Sequence, residues 1–216
     1  HELLTAINGR SIEVTKGHKS LRTINKNDYK NDYSKMSLIH THKGERLIDI
    51  LRITNHKSIN LYAEHMLYLI SHQKLNYGSI EGGLKLIHQK WSKEKGFQGL
   101  KVKDGSGLSR TNAISAENYT KLLYWMNKSK NAEQFFSTLP IAGESGTLKS
   151  LCKGQSGQGR IFAKSGTMSG IKSYSGYVHS SSGKKFAFAI IVNNHLGSTS
   201  ALKRKMGLFL NKIALL

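Results

Sequence analysis

The last third of the chain constrains the fold most. Ile161 to Thr167, Lys172 to His179 and Lys184 to Asn193 are β-prone segments, and Ser180-Ser181-Ser182-Gly183 between the last two is a hairpin turn. Phe186, Phe188 and Ile190 alternate with Ala187, Ala189 and Ile191, which predicts a strand apolar on both faces and central in its sheet. After Ser198-Thr199-Ser200, a terminal helix carries Leu202, Met206, Phe209, Ile213 and Leu216 at helical spacing and is expected to pack across that sheet. The first strand runs into Ala163-Lys164-Ser165-Gly166-Thr167-Met168-Ser169-Gly170. Period-two alternation puts Ser165 and Thr167 on one face, and Gly166 leaves the backbone open to an approaching chain. Such a strand can dock an extended peptide ending in a carboxylate. Alternation sends Lys164 to the face opposite Ser165, so its stem must curl round or the strand must twist.

Upstream, periodicity predicts mostly helices. Ser11 to Thr15 alternates briefly, Lys26 to Lys35 reads as a loop, and Met36 to His42 reads as a strand. Leu47, Ile48, Ile50 and Leu51 suggest a short helix over Glu45 to Arg52, broken near Thr54-Asn55. A helix with Tyr62, Ala63, Met66, Leu67 and Ile70 on its stripe starts just after Ser58-Ile59-Asn60. A second carries Ile80, Leu84, Ile87 and Trp91 and is stopped by Gly96. Gly99 to Arg110 reads as a short strand entering a glycine-rich turn. Ser115 caps the next helix, a shorter one covers Ala132 to Ser137 before Pro140, and one turn is expected around Leu148 to Cys152.

Composition narrows the class of function. A chain of 216 residues forms one sizeable domain, or one with a small appendage, and no apolar run is long enough to span a membrane. Lys+Arg of 33 against Asp+Glu of 13 gives a net charge of +20, suited to nucleic acid, anionic lipid or an acidic polymer. The basic residues are scattered without interleaved aromatics, so nucleic acid is not the expected partner. Cys152, the only cysteine, reads as a half-buried hydrophobe, and the ten histidines include no His-Glu-any-any-His; no metal is expected.

Three elements stand in order: Ser58-Ile59-Asn60 at a helix start, the loop Asp104-Gly105-Ser106-Gly107-Leu108-Ser109-Arg110, and the strand Lys164-Ser165-Gly166-Thr167. Singly, each has an ordinary meaning. Ser58 can cap its helix, Asn60 can be a turn residue, and Lys164 can be a solvated strand-end charge. Together their order resembles the D-Ala-D-Ala carboxypeptidase and endopeptidase family of the penicillin-binding proteins. Asn60-Leu61-Tyr62-Ala63-Glu64, Pro140-Ile141-Ala142-Gly143 and Ala163 to Gly176 extend the likeness over most of the chain from about Leu38.

The resemblance implies an α+β fold of the penicillin-binding and serine β-lactamase type. A helical lobe covers about 60–159, and a sheet with its terminal helix covers 160–216, the cleft lying between them. It implies that Ser58, Asn60 and Lys164 are catalytic: Ser58 passes a proton to the leaving amine, Asn60 offers its amide to the substrate, and Lys164 stabilises negative charge. Ser165, Gly166 and Thr167 would receive the terminal carboxylate of a D-alanine, and the Thr167 backbone N–H would supply half an oxyanion hole. Met168, Ser169, Leu108 and Arg110 would border the substrate. No cofactor is implied. The partners are peptidoglycan stem peptides ending in D-Ala and acylating β-lactams, in an extracytoplasmic setting.

The family's nucleophile motif, Ser-any-any-Lys, has no match upstream of Ser58. Matches begin at Ser71, Ser92, Ser150, Ser169, Ser181, Ser182 and Ser200 and are read as chance. The expectation is therefore a C-terminal part of such an enzyme, inactive alone, with 1–35 the end of an inserted region and linker and 36–216 catalytic domain. A non-catalytic wall-peptide binder is the rival, and a basic nucleic-acid-binding protein a weaker one.

Overall fold

Strands β1 (Ile161–Met168), β2 (Ile171–His179) and β3 (Lys185–Val192) pair antiparallel in the order β1-β2-β3. They belong to a computed structural model in which residues 37, 38 and 40–216 are described, Glu45–Leu216 forming one compact unit. The expectations for Ser11 to Thr15, for Lys26 to Lys35 and for an insertion end over 1–35 lie outside the described residues. Of the strand expected over Met36 to His42, the described residues 37, 38 and 40–42 carry no regular structure, and Leu38 is 84% exposed. An extended segment without a ladder has no backbone bonds to hold it.

A two-residue connection, Ser169-Gly170, joins β1 to β2, with Gly170 at φ 73°. It fixes the register so that Met168 faces Ile171, Thr167 faces Lys172, Ser165 faces Tyr174 and Ala163 faces Gly176. Gly176 has a specific reason to be glycine: a Cβ there would lie 2.1 Å from the Phe162 carbonyl oxygen.

Among the described strands β2 is the central one, and β3, expected to be central from its pattern, has a described neighbour on one side only. β3 is apolar on both sides because helices cover both faces of the sheet. On one face Ile161, Ala163, Tyr174, Val178 and Phe188 pack with Met206, Leu210 and Ala214 of the terminal helix α6 (Thr199–Ala214), and Ile190 and Val192 pack against that cluster. On the other, Phe162, Tyr177 and Ala187 join Leu123, Leu139, Phe135 and Phe136. The buried Tyr177 hydroxyl donates to the Leu123 carbonyl at 2.7 Å, which ties the sheet to α4 (Ala116–Asn127).

Helix α1 spans Leu47–Lys57 and runs through Thr54-Asn55, where a break was expected. Both polar side chains find partners that leave the helix intact: Thr54 Oγ1 donates to the Ile50 carbonyl at 2.7 Å, and Asn55 Nδ2 donates to Thr138 Oγ1 at 2.8 Å. α1 stops at Ser58, and after the extended Ile59 the chain enters α2 (Asn60–Leu75). α3 (Ile80–His88), capped by Ser79, continues as a π-helical stretch Gln89–Glu94, and Gly96 at φ 68° ends it. α3 lies close on α2, since a Cβ at Gly83 would sit 2.5 Å from the Leu67 carbonyl oxygen.

The short strand expected at Gly99 reduces to one bridge between Lys101 and Ala113, because Asp104 turns the chain back within three residues of it. Ser115 caps α4 by accepting from the Asn118 N–H at 3.0 Å, α5 covers Ala132–Ser137, and beyond Pro140 a 3-10 turn at Gly146–Leu148 leads into further hydrogen-bonded turns through Cys152.

Candidate functional site

The first joint of the site is the α1–α2 junction. Ser58 adopts the left-handed conformation, φ 55° and ψ 53°, which costs an L-residue other than glycine about 1–2 kcal/mol. It caps neither helix with its side chain; Ile59 occupies the N-cap of α2. Instead its Oγ accepts from Lys164 Nζ at 3.0 Å. An ammonium is a donor only, so this bond uses an acceptor position of Ser58 and leaves its own O–H free to give a proton elsewhere. Strain held at one residue for a polar contact is a feature of functional sites.

Lys164 resolves the conflict between its face and that of Ser165 by curling round the outer edge of β1. Its ammonium donates to the Ser165 carbonyl at 2.7 Å as well as to Ser58. Burial draws its pKa below the ordinary lysine value. Among the described residues the ion pairs join Arg46 and Arg52 to Asp49, Lys90 to Glu94 and Lys121 to Glu117, and none reaches Lys164. The positive charge therefore acts on the Ser58 hydroxyl and on whatever enters beside it.

Asn60 opens α2 and is exposed, and its amide makes no hydrogen bond to the described residues. One turn further on the same helix face stands Glu64. Its carboxylate accepts the backbone N–H of Gly105 at 3.0 Å and of Ser106 at 3.1 Å, and so pins the glycine-rich loop to α2. Asp104 closes the loop from inside by accepting from the N–H groups of Gly107 and Ser109, both at 2.6 Å. Gly105 is obligatory: a Cβ would lie 2.4 Å from the Ala63 carbonyl oxygen. Leu108, 55% exposed, and Arg110 project from this fixed loop.

On β1, Ser165 and Thr167 share the face that α6 covers. Ser165 Oγ donates to Thr147 Oγ1 at 2.9 Å, and Thr167 Oγ1 accepts from Lys172 Nζ at 2.6 Å. Gly166 has a cross-strand neighbour, since a Cβ would meet Ser173 Oγ at 2.5 Å. Met168 ends the strand, and Ser169 sits exposed in the turn. The structure thus joins Ser58 to Lys164 directly and sets the loop of Leu108 and Arg110 one turn above Asn60.

Three contributors escaped the sequence. Lys172 was legible in principle, since a two-residue turn at Ser169-Gly170 places it opposite Thr167 by counting. Glu64 stood inside a quoted motif with no role. Thr147 reaches Ser165 from a 3-10 turn at Gly146–Leu148, which opens two residues ahead of the turn expected around Leu148 to Cys152. Among the described residues no group of three or more His, Cys, Asp or Glu side chains is placed to hold a metal.

An antiparallel meander backed by a terminal helix, with a lysine-bearing edge strand meeting a Ser-any-Asn helix start, defines a penicillin-binding and β-lactamase-like fold. Solved structures agree on the fold. Penicillin binding protein 4 of Haemophilus influenzae superposes with a TM-score of 0.68 at 23% identity, over 78% of this chain and 40% of that one. The TLA-3 extended-spectrum beta-lactamase gives a TM-score of 0.58 at 18% identity, over 77% of this chain and 62% of that one. The chain belongs to the D-Ala-D-Ala carboxypeptidase 3 (S13) family, whose model matches residues 18–212. The D-alanyl-D-alanine carboxypeptidase of Actinomadura sp. (strain R39) is 33% identical over 172 residues, 77% of this chain and 32% of the relative. A D-alanyl-D-alanine carboxypeptidase of Haemophilus influenzae is 28% identical over 78% of this chain and 36% of its own length. The chain spans about a third of the length of the curated relatives it matches.

Proposed function

We propose that this chain supplies one wall of the cleft of a serine-type D-Ala-D-Ala carboxypeptidase that cuts peptidoglycan stem peptides through an acyl-enzyme. The observation that carries the reading is the 3.0 Å bond from Lys164 Nζ to Ser58 Oγ between two segments far apart in sequence. The attacking serine is assigned to the part of the family's length that this chain does not span.

In the proposed reaction that serine gives its proton to the lysine of its own Ser-any-any-Lys motif as it attacks the carbonyl of the penultimate D-alanine and forms a tetrahedral oxyanion. The Thr167 N–H and the nucleophile's own N–H receive the oxyanion, and the nearby Lys164 charge favours it. Asn60 holds the substrate peptide bond with its amide. Ser58, its oxygen fixed by Lys164, passes a proton to the departing D-alanine nitrogen as the C–N bond breaks. Water then hydrolyses the ester and restores the serine. Thr167 holds the terminal carboxylate together with Ser165, whose hydroxyl turns from Thr147 to donate to it, Gly166 lets the peptide approach the strand, and Leu108, Arg110, Met168 and Ser169 line the rim. Stem peptides of this kind place the enzyme outside the cytoplasm, and β-lactams would trap it as the stalled acyl-enzyme.

The test is acylation of the complete protein by a labelled penicillin. Lys164→Ala should slow labelling at least about a hundredfold, the scale of losing one preorganised charge-stabilising group, without changing the fold by circular dichroism. Unchanged labelling would remove Lys164 from the mechanism. Binding of D-Ala-D-Ala peptides with no labelling of the wild type would make the protein a wall-peptide binder instead.

A further inference from the structure

Lys172 is a lysine where a lysine is costly. It is only 6% exposed, on the central strand under the edge strand of the site. Its ammonium lies 4.8 Å from the centre of the Tyr174 ring and donates to Thr167 Oγ1 at 2.6 Å. None of the ion pairs among the described residues includes it. Burial pushes its pKa down, and its charged surroundings add to that push because they are cationic: Lys203 from α6 and Lys164 from β1 both oppose its charge. The neutral acid beside it, Tyr174, cannot serve as counter-charge, because burial raises its phenol to about 12. A buried cation with no carboxylate beside it is costly, and an anion brought close to it would offset that cost.

The bond to Thr167 also has a direction. Because an ammonium only donates, Thr167 Oγ1 must accept, and its hydroxyl proton is turned away from Lys172. A hydroxyl fixed in this way is a preorganised donor.

We propose that Lys172 is a positioning residue for the terminal carboxylate of the substrate: it orients the Thr167 hydroxyl as a donor and supplies the positive charge behind it. The assignment rests on the cleft described above, and it makes the site selective for a free carboxylate over its neutral amide. Lys164 faces the scissile bond and Lys172 faces the chain end, so two cations divide two tasks on adjacent strands.

The test compares the affinity of the complete protein for N-acetyl-D-alanyl-D-alanine with that for the same dipeptide amidated at its C-terminus, by calorimetry. Penicillin labelling is run in parallel on the same preparations. Wild type should prefer the carboxylate. Lys172→Met, which keeps the volume and removes the charge, should cut that preference by about tenfold, the lower range for a hydrogen bond to a charged group. Lys172→Arg should restore most of it, which a purely space-filling role would not predict. If Lys172→Met fails to fold, Lys172→Gln provides the same comparison. Equal affinity for the two dipeptides in wild type, or an unchanged preference in the neutral variant, overturns the proposal. Absent labelling with the preference intact and lost in Lys172→Met would refute the enzymatic reading while upholding Lys172.

Discussion

Removing the Glu64 carboxylate should loosen the glycine-rich loop and lower the melting temperature measurably. Glu64 accepts two backbone N–H groups, at 3.0 and 3.1 Å, from Gly105 and Ser106. A hydrogen bond to a charged acceptor contributes roughly 1.5–3 kcal/mol when well buried. Glu64, Gly105 and Ser106 are all half-buried, so water recovers part of the loss, and Glu64→Ala is expected to cost about 2 kcal/mol for the pair. For a domain of this size each kcal/mol shifts the midpoint by about 2–4 °C, so thermal unfolding should fall by about 4–8 °C. Glu64→Gln retains one acceptor oxygen and should fall about half as far. Glu81→Ala removes the same charge from an exposed position and sets the background. Limited proteolysis within 104–110 should quicken in Glu64→Ala alone. A drop below about 1 °C with unchanged proteolysis would refute the anchoring role of this carboxylate.

Gly176→Ala would push a Cβ to 2.1 Å from the Phe162 oxygen and prise β1 from β2, so soluble yield or penicillin labelling should collapse; a variant with normal melting and labelling would contradict the packing. Ser58→Gly relieves the left-handed strain while deleting the hydroxyl, so the melting temperature should stay level or rise while labelling slows more than about tenfold. A lower melting temperature would show that the Ser58 bond outweighs the strain. Burial lowers the pKa of both Lys164 and Lys172 in the folded state, so between that lowered value and 10.5 the unfolded chain binds more protons and stability rises with pH. Urea unfolding at pH 8–9.5, below the range where tyrosines titrate, should show this rise, and Lys172→Met should flatten it; a steeper slope in the variant would reverse the sign.

Local signals carried far in this chain where they were short-ranged. The β1–β2–β3 meander, the Ser115 cap and the helix over Ala132–Ser137 were written in alternation, capping and spacing. The Ser58 to Lys164 pairing could be expected only from motif order, because nothing local brings those residues together. Among the described strands, the place of β3 in the order was not legible for a different reason. Phe186 to Val192 records that both faces are covered, and coverage by α4 and α6 leaves the same pattern as a central position between strands. Thr54 and Asn55 misled in the opposite way: they look like helix breakers until Ile50 and Thr138 supply partners. Lys172 was not singled out because the expected strands ended at Thr167 and resumed at Lys172, and only the two-residue turn at Ser169-Gly170 sets those two residues opposite each other.

The loop closed by Asp104 and riveted to α2 by Glu64 is a cassette rather than a lid. Its backbone shape is settled before anything arrives, so Leu108 and Arg110 can be exchanged without redesigning what carries them. A library randomised at those two positions, with Asp104, Gly105 and Glu64 held constant, should yield mostly folded proteins. Descent with changing ligands would find the same freedom there: a rim whose two projecting side chains vary while its frame is inherited whole.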